Sequence, residues 1–120
     1  MTHILAADDS ASMRDMVRIA LTGAGFEVTA AEDGRSALEL ARKTVYDLVL
    51  SDVNMPEMDG IELIRALRAE AAYRHTPILM LTTEGSADRK REGKEAGATG
   101  WIVKPFDPAQ LIATMHRVLR

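Results

Sequence analysis

Five short apolar runs alternate with five stretches of helical period, and this alternation constrains the fold of the chain more than any other feature. His3 to Ala7, Glu27 to Ala31, Asp47 to Ser51, Pro77 to Leu81 and Gly100 to Val103 read as strands. The third and fourth hold unbroken apolar stretches, Leu48 to Leu50 and Ile78 to Leu81, as expected of strands covered on both faces. Between the strands, Met13, Met16, Val17, Ala20 and Leu21 recur at i, i+3, i+4, i+7 and i+8. They mark one face of a half-buried helix that Ser10 or Ser12 caps and that Gly23 and Gly25 end. Asp33 precedes a helix with Leu38 and Ala41 inward, and Asp59 with Glu62 makes a capping box ahead of Ile61, Ile64 and Leu67. Asp107, Pro108 and Gln110 place a cap, an N1 proline and an N3 amide before Leu111, Ile112, Met115, Val118 and Leu119. Ala87 to Ala96 is the exception: it has no large apolar residue and carries Gly93 mid-segment, which predicts a weakly anchored helix. Connections this short imply parallel strands with right-handed helical crossovers, hence an open α/β sheet with helices on both faces.

The chain has 120 residues, the length of one domain. Fifteen Lys+Arg against eighteen Asp+Glu give a net charge of -3, which argues against coating a nucleic-acid backbone with cations. With no Cys there are no disulfides, thiolate nucleophiles or Cys-bound zinc, and His3, His75 and His116 are too far apart to form a metal spacing. Any metal must be held by oxygen. Acids arrive at Asp8 and Asp9, too early for a secretory signal, and no apolar run approaches the ~18 residues of a membrane span. A cytoplasmic protein, monomeric and binding neither nucleic acid nor membrane, is expected.

In such a sheet, ligands gather at the carboxyl ends of the strands. Asp8 and Asp9 close the first strand, Asp52 the third, Thr82 the fourth, and Lys104, followed by Pro105, the fifth. Carboxylates brought within roughly 4 Å repel by about 4 kcal/mol per pair at an effective dielectric near 20, so a cation among them is expected; Mg²⁺, a hard ion, suits such oxygens. A carboxylate beside a divalent cation and a lysine can attack a phosphoryl group, whose oxygens the cation and ammonium neutralise. Thr82 could hydrogen-bond a further oxygen. Charge alone does not say which carboxylate is the nucleophile; spacing shows only that Asp52 stands singly while Asp8 and Asp9 form a pair fit for holding metal.

The runs DDS at Asp8 to Ser10, SDVNMPEMDG at Ser51 to Gly60, LTTE at Leu81 to Glu84 and GATGWIVKPF at Gly97 to Phe106 resemble the receiver domain of two-component response regulators, above all the stand-alone chemotaxis type. The resemblance covers essentially the whole chain. It implies a flavodoxin-like sheet of order 2-1-3-4-5 and a single receiver domain over residues 1 to 120 with no output domain. It further implies that Asp52 accepts a phosphoryl group from a histidine kinase. Asp9, Asp52 and the backbone carbonyl of Asn54 would ligate Mg²⁺, with Asp8 acting mainly through water. Lys104, aimed by a cis bond before Pro105, would pair with the phosphoryl group. Thr82 and Trp101 would form the switch, and Asn54 and Glu84 would influence hydrolysis toward a short-lived adduct. The surface of the fourth helix, fifth strand and fifth helix would then meet a partner such as a flagellar motor switch, with a phosphatase as a possible further partner. Such a protein is no enzyme beyond its own phosphorylation and dephosphorylation. In this chain Trp101 stands where Tyr or Phe is more frequent, and Thr83 where Ala or Gly is common.

Two other outputs stay open: a phosphate sink or relay intermediate and, from another class, a Mg²⁺-dependent small-molecule phosphatase. The latter is disfavoured by the adjacent Asp8–Asp9 pair, where a D-x-D spacing and an inserted cap are usual. A flavin carrier of the same fold would need a Ser/Thr/Gly phosphate loop where Asp8 and Asp9 stand. Several of these residues also have plainer readings. Asp8 and Asp9 could cap a helix, Lys104 could be a surface lysine and Thr82 a strand-end cap, and Trp101 could simply pack on its strand. The basic residues Arg89, Lys90, Arg91 and Lys94 alternate with Asp88, Glu92 and Glu95 as a solvated face or a docking patch. The histidines read as surface residues, and Met55 and Met58 as a rim beside the site.

Overall fold

The computed structural model describes residues 1–83 and 87–119. Five strands, β1 (His3–Ala7), β2 (Glu27–Ala31), β3 (Leu48–Asp52), β4 (Ile78–Thr82) and β5 (Gly100–Val103), form one sheet in the order β2-β1-β3-β4-β5. Every pairing is parallel, as the short crossovers require. The helices are α1 (Ala11–Gly23), α2 (Gly34–Lys43), α3 (Gly60–Arg68), α4 (Ala87–Ala96) and α5 (Pro108–Val118), with a short 3₁₀ turn at Ala71–Tyr73. β3 and β4 begin with their apolar residues and lie one residue later at both ends than the expected Asp47 to Ser51 and Pro77 to Leu81. Asp47 instead clasps the start of β1: its N–H donates to the His3 carbonyl at 2.9 Å and its Oδ2 accepts from His3 N at 2.8 Å.

The sheet separates two apolar clusters. One, built on Ile4, Ala6, Leu48, Leu50, Leu79 and Leu81, is covered by α1 and α5 through Val17, Leu21, Leu111 and Met115. The other, built on Leu5, Val49, Ile78 and Met80, is covered by α2, α3 and the end of α4. Alternate residues of each central strand therefore serve opposite faces, which is why β3 and β4 carry unbroken apolar runs.

The capping residues act as the sequence suggests: Ser10, Asp33, Asp59 and Asp107 accept from backbone N–H groups of the first turns of α1, α2, α3 and α5. Asp59 and Glu62 form the reciprocal box. Met16 departs from its helical pattern. It is 47% exposed beside Ile19 at 73%, because only Val17 and Leu21 of α1 are buried against the sheet. His3 is likewise no plain surface residue; its Nε2 lies 2.6 Å from Thr29 Oγ1 and its ring meets Tyr46 edge-on.

α4 is anchored by other means than an apolar stripe. Gly93 and Ala96 are its buried residues, and a β-carbon at Gly93 would stand 2.2 Å from the Met80 sulfur, so glycine here permits close approach of helix to sheet. The C-terminal end is tied by Arg68, whose guanidinium donates to the carbonyls of Tyr73, Thr76 and Gly97 at 2.6 to 3.0 Å.

Candidate functional site

The parallel register brings the carboxyl ends of β1, β3, β4 and β5 to one edge. Asp52 is the last residue of β3 and Thr82 the last of β4, and both are buried. Asp8 follows β1 directly, its N–H donating to the Ala31 carbonyl at 3.0 Å, and is also buried, while the next residue, Asp9, is exposed. Lys104 follows β5; its N–H donates to the Thr82 carbonyl at 2.6 Å, and the bond to Pro105 is cis.

One carboxylate oxygen from each of Asp8, Asp9 and Asp52 lies within 4.8 Å of the others. Lys104 Nζ enters between two of them, 2.9 Å from Asp8 Oδ2 and 3.2 Å from Asp52 Oδ1. Asp52 Oδ1 also accepts from Val53 N at 2.8 Å, and Asp8 Oδ1 from Ser10 N at 3.0 Å. Asp8 Oδ2 is fully buried, and among the described residues its one partner is the Lys104 ammonium at 2.9 Å. A buried anionic oxygen with unused lone pairs is costly, and here it points to a further cation. The donor set fits a hard ion, since every side chain offered is a carboxylate.

Burial, reinforced by the Asp8 charge, raises the Asp52 pKa to about 6, with Lys104 pulling the other way. Lys104 responds oppositely. Burial lowers its pKa, but the hydrogen bond to Asp8 and the charges of Asp52 and Asp8 outweigh burial, so the net shift is upward and the ammonium is retained. The result is a partly desolvated carboxylate held next to a fixed positive charge.

The loop after Asp52 is shaped by close contacts. Gly60 N donates to the Val53 carbonyl at 2.8 Å, Glu57 takes a left-handed φ of 69°, and α2 presses its first residue, Gly34, against the Met58 carbonyl. Asn54 Oδ1 accepts from Arg89 of α4 at 3.3 Å. Met55 is buried and Met58 packs against the same cluster, so both belong to the core beneath the loop.

The structure thus brings together Asp8, Asp9, Asp52 and Lys104, with Thr82 at the adjoining strand end. Trp101 stands apart on β5, 37% exposed, with Lys90 Nζ 5.1 Å from its ring centroid. Glu84 lies outside the described residues. Three supports were missed by motif reading. Ser51 Oγ donates to the Asp52 carbonyl at 2.9 Å, Arg14 Nη1 donates to the Asp8 carbonyl at 2.7 Å, and Arg89 contacts Asn54. Arg14 could have been suspected from its place one turn into α1, whereas nothing in the sequence links Arg89 to a residue 35 positions earlier.

A buried strand-end aspartate, two further acids and an inward lysine thus meet at the carboxyl edge of an open α/β sheet, the place where such folds bind ligands. Residues 4–116 match the response regulator receiver domain model, and the chain belongs to that family. It is 42% identical over 116 residues to the chemotaxis protein CheY of Pseudomonas aeruginosa, covering 96% of this chain and 94% of that protein. It is 40% identical to CheY-3 of Vibrio cholerae, covering 96% and 89%. The solved structure of Vibrio cholerae CheY4 superposes with a TM-score of 0.95 at 54% identity, covering 98% of both chains. Among the described residues no helix is long and apolar enough to cross a membrane.

Proposed function

We propose that the protein is a chemotaxis response regulator that takes a phosphoryl group from a histidine kinase onto Asp52. The observation that carries this reading is the placement of Asp52: buried, within 4.8 Å of the Asp8 and Asp9 carboxylates, and 3.2 Å from Lys104 Nζ. A carboxylate oxygen of Asp52 forms the new bond to phosphorus while the bond to the donor histidine nitrogen breaks and the imidazole leaves with the electron pair. Lys104 is already in place to neutralise the incoming phosphoryl oxygens, and the Val53 N–H steadies the carboxylate.

Asp8, Asp9, Asp52 and the Asn54 backbone carbonyl are the groups that would hold Mg²⁺, which supplies positive charge against the transferring oxygens. Exposed Asp9 is available to the ion directly. Asp8, already engaged by Ser10 and Lys104, is suited to act through water. Thr82 and Trp101 form the switch and the α4–β5–α5 surface the readout, addressed to a flagellar motor switch in line with the chemotaxis relatives. Added charge of about -1.5 to -2 next to Lys104 is sufficient to bias a two-state surface. The protein acts as a signalling module located in the cytoplasm, catalysing only its own phosphorylation and dephosphorylation.

Incubation with acetyl phosphate and Mg²⁺ followed by intact mass measurement tests the reading. The wild type gains one phosphoryl group and Asp52→Asn none; an equal gain in both defeats it. Pulldowns with the phosphorylated and free forms then separate a motor partner from a phosphate sink.

A further inference from the structure

Three consecutive cations of α4 have three different addresses. Arg91 pairs with Asp88 on its own helix at 2.7 Å, and Lys90 lies over the Trp101 ring. Arg89 crosses to the loop that follows Asp52, where its Nη2 donates to Asn54 Oδ1 at 3.3 Å, while its Nη1 stays 3.5 Å from Glu92. α4 carries little apolar burial, and the Arg89–Asn54 contact is one polar tie between its first turns and that loop.

We infer that Arg89 is a positioning residue for loss of the phosphoryl group, acting through the Asn54 amide as a brake on hydrolysis; this rests on Asp52 being the acceptor. In hydrolysis a water oxygen forms the new bond to phosphorus, the bond from phosphorus to the Asp52 oxygen breaks, and its electron pair restores the carboxylate. The water's protons leave with inorganic phosphate and solvent. The attacking water has to be oriented through its protons by a nearby acceptor, and Oδ1 is the sole acceptor of the Asn54 side chain. A guanidinium on Oδ1 occupies one lone pair, polarises the other and ties the amide to α4, so that the acceptor is less available to water. Arg89 thereby couples the position of α4 to the lifetime of the adduct made at Asp52.

The test follows decay of the phosphorylated protein, loaded with acetyl phosphate and Mg²⁺ and then freed of donor. Arg89→Ala is expected to decay faster than wild type by about threefold or more, the scale of one side-chain hydrogen bond. In an Asn54→Ala background the same substitution is expected to have no effect. Arg91→Ala, which removes the same charge from the same helix, is expected to decay like wild type. Equal lifetimes for Arg89→Ala and wild type, slower decay in Arg89→Ala, or a full Arg89 effect without Asn54 would each overturn the inference. Absence of any Asp52-dependent adduct would instead defeat the reading beneath it. Should Arg89→Ala unfold, Arg89→Gln, which keeps the helix and removes the charge, is measured in its place with the same expectation.

Discussion

Gly60 approaches Asp52 so closely that a β-carbon built on it would stand 2.1 Å from the Asp52 carbonyl oxygen and 3.0 Å from the Val53 α-carbon. The first residue of α3 therefore presses on the backbone that carries Asp52, and the Gly60 N–H to Val53 carbonyl bond holds the two together. Neither obstructing group is a flexible side chain. Gly60→Ala should consequently lose about 1–3 kcal/mol of stability, the usual cost of overpacking, and displace Asp52. Urea unfolding reports the first effect, and a slower Asp52-dependent mass gain with acetyl phosphate the second. Wild-type values for both would show that the loop yields without consequence.

The crowded carboxylates predict an unusual pH dependence. Because the folded protein raises the Asp52 pKa from 3.8 to about 6, the native state binds this proton more tightly than the unfolded chain does. Stability contributed by this group therefore falls as pH rises from about 4 to above 6, by about 3 kcal/mol in the absence of metal. Asp52→Asn keeps the shape without the charge and should be more stable than wild type by about 1–3 kcal/mol at pH 7.5, the lost ion pair with Lys104 offsetting part of the gain. The advantage should shrink toward pH 4. Denaturant unfolding of both proteins in chelator across this range measures it, and a variant less stable at pH 7.5 would contradict the assigned electrostatics.

Arg68 predicts a large stability effect at a residue that has no carboxylate partner among the described residues. Its guanidinium satisfies the carbonyls of Tyr73, Thr76 and Gly97, and burial lowers its pKa. Arg68→Ala should cost about 2–3 kcal/mol by leaving those carbonyls without their donor, and Arg68→Lys should restore only part of it, since an ammonium cannot span the same fork. Hydrogen exchange in α4 should accelerate in parallel. Unchanged protection there would remove Arg68 from the anchoring of that helix.

Trp101 provides an optical test of the proposed switch. At 37% exposure with Lys90 above the ring, it should respond both to helix position and to burial. Phosphorylation in Mg²⁺ should shift its emission to shorter wavelength and reduce quenching by iodide, and Asp52→Asn should show neither change. Lys90→Ala should alter the resting intensity without preventing the shift. Emission unaffected by an adduct confirmed by mass would mean that the ring keeps its place.

The apolar runs of β3 and β4 announced a sheet covered on both faces because every apolar side chain of these strands enters a core, and capping residues such as Asp33 and Asp59 announced their helices by local chemistry alone. Strand order was not legible in this way. Alternation is compatible with several orders, and the order came from resemblance. The site was legible because Asp8, Asp9, Asp52 and Lys104 each stand at a strand end, so that topology alone assembles them. What escaped were contacts between side chains and backbone or loops: Arg68 on the carbonyls of Tyr73, Arg74, Thr76 and Gly97, Arg89 on Asn54, Arg14 on Asp8. Met16 shows the reverse error, since helical period marks a face without saying how far the neighbouring elements cover it.

The polar character of α4 separates two demands that most helices must meet together. Its outward positions support so little of the interior that they can change identity while Gly93 and Ala96 keep the helix seated. If the proposed readout runs through α4, two copies arising by gene duplication would come to address different recipients through this helix while each retained the same interior and the same carboxylate cluster around Asp52.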